Sequence, residues 1–176
     1  MDLLLPAHRG LMNQLLECIV RWETMQSSTV TYAENASLDL IEAETCCEEH
    51  LGVLDAALLP DIRGAAFASA EKMLRGLRRS LEAFERICET LDVVEAKAHK
   101  KLKPSRVHEA MLLEWIEDCT RMLQAELIYK RLILTMLDEL DEPSEIEQTL
   151  LSWVEEPHLD RALLEHVKEV LAPSPD

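Results

Sequence analysis

Phe67, Ala70, Leu74, Leu77, Leu81, Phe84, Cys88 and Leu91 follow one another in steps of three and four without a miss. A strand alternates every two residues, so this rhythm admits only a helix, and a seam held over more than three heptads is that of a coiled coil. Helices elsewhere in the chain, or in a partner, must cover it. The spacing predicts a helix over 61–99 that ends in the basic stretch before Pro104. Gly76 lies inside it and costs up to ~1 kcal/mol against alanine.

Three further regions carry the same period. Leu11, Leu15, Cys18, Trp22, Met25 and Thr29 draw one stripe, and Leu40, Ala43, Cys47, Leu51, Leu54 and Leu58 a second. Between them, hydroxyl and β-branched residues at 27–31 favour a break or kink. The expectation is a helix at 7–34 and a weaker one at 37–58, or one long bent helix. After Pro104, with Ser105 as N-cap and no capping box, a helix should run to about 140 along Leu112, Trp115, Ile116, Cys119, Leu123, Leu127, Leu134 and Leu137. Its apolar arc is wide, because Met122, Tyr129, Ile133 and Met136 flank that stripe, and a wide arc can serve two neighbours. Pro143 restarts a helix with a Ser144–Glu147 capping box, Pro157 ends it, and Asp160 caps a last one through Leu163, Leu164, Val167 and Leu171. The fold class is therefore all-α. Long antiparallel helices over 1–142 form a coiled-coil-like bundle, and 143–176 form a short helical hairpin and tail within one structural domain.

The formal net charge of −16 repels phosphate backbones and anionic headgroups, so direct nucleic-acid binding is not expected. The basic stretch "KAHKKLKPSR" (97–106) reads most simply as a solvated linker, and more sharply as a nuclear-import signal or a patch for an acidic partner. "MDLLLPAHRG" is no secretory signal, since an acid stands where bases should and Pro6 breaks the apolar run. No membrane span is expected. Five irregularly spaced cysteines (18, 46, 47, 88 and 119) fit reduced thiols used as small core residues in the cytosol or nucleus.

Motifs for chemistry are missing. There is no phosphate loop, no nucleophile elbow and no H-E-x-x-H. Cys46, Cys47 and His50 share one helical turn, but a structural zinc site needs four ligands and no second pair has the spacing. No catalytic residue, metal site or cofactor is therefore expected. "RGL" (75–77) and "RAL" (161–163) match a short R-x-L cyclin-docking pattern, although Leu77 and Leu163 already belong to apolar stripes. Ser174–Pro175 has the minimal form of a proline-directed phosphorylation site in a loose tail.

Glu126 and Lys130 stand on the apolar side of their helix, four apart with the acid first. One reading puts the pair at the edge of the core, with the lysine stem over apolar surface and its head in water. The other makes this face a docking surface on which the pair fixes register. Trp153, beside a helix-ending proline, divides the same way between core residue and partner anchor.

Three stretches also occur in a telling order: "RWETM" (21–25), "ELIYKR" (126–131) and "LLSWVEEPHL" (150–159). Together they resemble the cyclin-dependent kinase 2-interacting protein family, whose pattern has K-W-E-T-L, then E-L-x-x-K-R, then W-x-x-x-P. The likeness covers both ends of the chain, whereas 35–105 match only in helical character. The spacing near Ser152 is one residue shorter than the family's, and the N-terminal extension is shorter too. The signature positions are Trp22, Glu23 and Thr24; Glu126, Leu127, Lys130 and Arg131; and Trp153 and Pro157. The resemblance implies a non-enzymatic adaptor, nuclear with the cytoplasm as a second location. Its implied partners are the subunits of a chromatin-associated AAA ATPase, a second helical accessory protein and cell-cycle kinases. The implied roles are DNA replication, genome maintenance, checkpoint signalling and ribosome maturation. The residues alone leave two other readings: a helical structural subunit of a tethering or kinetochore-like complex, and a small helical metal protein or enzyme.

Overall fold

The computed structural model describes residues 8–48, 59–140 and 142–172, with the backbone alone at 42–48, 59 and 143. The described residues form five α-helices: α1 (Arg9–Glu48), α2 (Leu59–Lys101), α3 (Val107–Leu137), α4 (Pro143–Glu155) and α5 (Arg161–Leu171). No strand occurs among the described residues, so the protein is an all-α bundle as the periodicity requires.

Residues 9–48 form one helix, not two. The hydroxyl residues at 27–31 lower helix propensity by only about 0.5 kcal/mol each, and burial offsets that. Gln26, Thr29, Ala33, Ala36 and Leu40 continue the buried stripe of Leu11, Leu15, Cys18 and Trp22. Thr29 keeps its hydroxyl satisfied within the helix by donating to the Gln26 carbonyl at 2.9 Å. Residues 49–58, the rest of the expected second helix, lie outside the described residues.

By contacts the chain divides into two compact units. The first holds α1 to Met25, α2 from Ala83, α3 to Ile128, and α5. In it His99 meets Glu117 and Asp92 meets Gln124. A step of seven backward along α2 is thus a step of seven forward along α3, and the two run antiparallel. Trp22 packs on Phe84 with ring centroids 4.4 Å apart, and both are fully buried. Such a tilted aromatic pair adds ~0.5–1.5 kcal/mol beyond its area. α5 runs antiparallel to α3: Asp160 meets Met122 and His166 meets Trp115. It buries Leu164, Val167 and Leu171, and the Asp160 carboxylate caps it from Leu163 N at 3.0 Å, as anticipated.

The second unit holds α1 from Gln26, α2 to Glu82, α3 from Tyr129, and α4. Arg78 of α2 pairs with Asp138 beyond the end of α3. The two helices expected as a C-terminal hairpin thus belong to different units, α4 to the second and α5 to the first. The heptad seam of α2 is buried at Ala70, Leu77, Phe84, Cys88 and Leu91, but Phe67 is exposed.

Two helix starts differ from expectation. The first α-helical bond of α3 is accepted by the Arg106 carbonyl, so Arg106, not Ser105, is its N-cap. Position N3 is therefore Glu109, whose carboxylate turns back to accept Lys103 N at 2.6 Å and the Arg106 guanidinium at 2.8 Å. α4 starts at Pro143 on Glu142, which makes no side-chain cap. Ser144 lies inside the first turn, so the expected capping box does not form; the fixed φ of proline presets this turn instead.

Candidate functional site

α4 ends two residues after Trp153, so the Trp153 and Val154 carbonyls have no intrahelical partner. Gln26 Nε2 donates to both, at 3.0 and 3.5 Å. Lys130 Nζ donates to the Trp153 carbonyl at 3.0 Å and to Gln26 Oε1 at 2.9 Å. The ammonium lies 3.5 Å from Glu156 Oε1 and 4.6 Å from the centre of the Trp153 ring. The indole N–H donates in turn to Thr29 Oγ1 at 3.1 Å. Lys130, Trp153 and Thr29 have no exposed surface. The lysine head does not reach water, contrary to the edge-of-core expectation that put it there. It serves as a cation at the negative end of the α4 dipole, supplied by another helix.

Glu156 completes this cluster from an unusual backbone. Its φ of 49° is the one positive value among described non-glycine residues, and its side chain is buried. A left-handed residue ends the helix, and Pro157 behind it prevents continuation. The sequence signalled Lys130 and Trp153. It did not signal Gln26 or Glu156, which are ordinary in composition and gain their roles only by placement. Thr29 stood in the predicted stripe, but as an apolar substitute.

The remaining signature residues lie as follows. In the first unit, Trp22 is core beside Phe84, and Glu23 accepts from Lys168 at 2.7 Å. Thr24 is exposed and donates to the Val20 carbonyl at 2.8 Å. Glu126 is fully buried and accepts His158 N at 3.1 Å, just after the exposed Pro157. Leu127 is buried. In the second unit Arg131 is exposed. Beside it Leu132 and Met136, one turn apart on α3, are 51% and 42% exposed, while Ile133, Leu134 and Leu137 face inward. The wide apolar arc is thus buried on one side and open on the other.

Other candidates are weaker. Glu95, His99 and Glu117 are the one trio of metal-ligand type among the described residues, with ligand atoms within 4.8 Å of one another. His99 is half exposed and lies 3.7 and 3.3 Å from the two carboxylates, which suits a polar link between α2 and α3. The side chains of Cys46, Cys47 and His50 lie outside the described residues. Cys18, Cys88 and Cys119 are buried free thiols, and burial, then Asp118, pushes Cys119 up to about 12. Leu77 of the "RGL" triplet is fully buried, so that motif cannot be docked without opening the helix packing. No described helix is long and apolar enough to cross a membrane. No protein-family model, curated protein or solved structure matches the chain.

Proposed function

We propose that this protein is a non-enzymatic helical adaptor of the cyclin-dependent kinase 2-interacting type. In this reading it is an accessory subunit of a chromatin-associated AAA ATPase assembly, beside a second helical protein, with cell-cycle kinases as further partners. Its work is nuclear and belongs to replication, checkpoint signalling and ribosome maturation. The observation that carries the adaptor role is the open side of α3. Leu132 and Met136, next to Arg131, present apolar surface on a helix whose opposite side is already buried. Two apolar side chains one turn apart on the outer side of a helix offer a place for a second surface to pack.

The motif order supports the family assignment, and the polar cluster supports a structural role for two of its positions. Lys130 and Trp153 then belong to the frame that holds α4, and Arg131, Leu132 and Met136 to the surface that meets a partner.

The test is gentle purification of the tagged protein from its own cells, beside a Leu132→Ser, Met136→Ser variant. Stoichiometric AAA ATPase subunits with a small helical protein, lost in the variant, are expected. Kinases without the ATPase would shift the role to a cell-cycle linker. An unrelated set of helical subunits would shift it to a structural part of a tethering or kinetochore-like complex.

A further inference from the structure

Within the second unit a groove of about 330 Å³ lies between α1 and α4. Leu38, Ile41, Leu151 and Val154 line it with apolar surface, and Glu34 and Glu147 stand among them. Leu38 and Leu151 are 63% and 53% exposed, so neither is needed to fill the core.

The ionisable residues described as lining the groove, Glu34 and Glu147, have one sign. No lysine or arginine occurs between Arg21 and Arg63, nor between Arg131 and Arg161. All the described lining residues come from these two segments. Carboxylates are frequent there: Glu34 and Asp39 on α1, and Glu145, Glu147 and Glu155 on α4. An apolar trough whose described lining carries acids and no bases selects its occupant by both properties.

We infer that this groove receives an amphipathic helix of a partner protein whose apolar stripe is flanked by lysine and arginine. Leucine-type side chains at i, i+4 and i+7 enter the trough, and the basic flanks meet Glu34 and Glu147. No sheet edge exists among the described residues to recruit an extended strand. A second copy of this chain is a poor occupant, because its matching segments bring like charge to like charge. The inference rests on the adaptor reading only for there being a partner; the groove is a surface separate from Leu132 and Met136.

The test uses the full chain and fluorescent helical peptides, read by anisotropy. One peptide has leucine at i, i+4 and i+7 with lysine elsewhere. A second replaces every lysine by glutamate, and a third replaces every leucine by serine. Only the first should bind. Leu38→Ser with Leu151→Ser should weaken it about tenfold or more. Glu34→Lys with Glu147→Lys should weaken it as much and flatten its salt dependence. Val107→Ser, at an exposed site in the first unit, should change nothing, and circular dichroism should show every variant folded. Equal binding to wild type and to the leucine variant would overturn the inference, since the peptide would then be responding to net charge alone. So would a dimer, seen by sedimentation equilibrium, that the leucine variant abolishes. Natural partners that co-purify undiminished with the leucine variant would remove the groove and keep the adaptor. Peptide binding with no natural partner would do the reverse.

Discussion

Lys130 has no side-chain surface in water, and Glu156, whose carboxylate lies 3.5 Å away, is almost as deeply buried. Taking an ammonium out of water costs several kcal/mol, which only good hydrogen bonding and an opposite charge offset. Here Gln26 Oε1, the Trp153 carbonyl and Glu156 supply them. Lys130→Met should therefore lower stability by about 3–5 kcal/mol in urea titration, because the Glu156 carboxylate loses its cation. Adding Glu156→Gln should restore much of that, and a double variant no better than Lys130→Met would refute the coupling. Glu109 gives a pH signature. The Lys103 N–H, then the Arg106 guanidinium, hold its carboxyl below the ordinary value of 4.5. Its folded state prefers the ionised form, so its contribution is complete above pH 4.5 and fades as pH falls through the lower folded value. The gap in urea midpoint between wild type and Glu109→Gln should close on acidification.

At the scale of the element, helix ends and glycines decide more than propensity. α5 depends on its Asp160 cap, whereas α4 begins on proline and ends on groups from outside itself. α2 carries two glycines with different surroundings. A Cβ on Gly64 would touch nothing within 4 Å, while one on Gly76 would come to 3.3 Å from the Tyr32 ring. Gly64→Ala should stabilise by about 0.5–1 kcal/mol through helix propensity and a less flexible unfolded chain. Gly76→Ala should gain less, because the ring must move by a few tenths of an ångström. Thermal unfolding of the two variants side by side checks the order. A larger gain at Gly76 would mean that Tyr32, which is 38% exposed, yields without cost.

For the molecule as a whole, charge is the main liability. A net charge of −16, concentrated where bases are absent for long stretches, repels itself in the folded state. Raising salt from about 0.02 to about 0.3 M should raise the melting temperature by a few degrees, since the screening length falls below about 10 Å. A fall instead would mean that ion pairs such as the exposed Arg78–Asp138 and the half-buried Lys168–Glu23 outweigh the repulsion. The same charge distribution is what the proposed basic helix would relieve, so its binding should also raise thermal stability.

Period and punctuation made most of the fold legible. Steps of three and four marked which faces of α1, α2 and α3 are buried, because a helix repeats its direction at that interval whatever it packs against. Pro143, Pro157 and Asp160 marked the ends of α4 and α5 for equally local reasons, fixed φ and a short acceptor side chain. The continuity of α1 was not legible, because the burial of Thr29, Ala33 and Ala36 that overrides weak propensity comes from neighbours distant in sequence. Nor was the role of Lys130. Sequence placed it on an apolar face beside a Trp153 of unknown location. Only the packing of α1, α3 and α4 in one unit brought Gln26, Lys130 and the last carbonyls of α4 within hydrogen-bonding distance. Helix faces follow from residue spacing along one chain segment, whereas a hydrogen-bonded cluster depends on positions in space that distant segments set together.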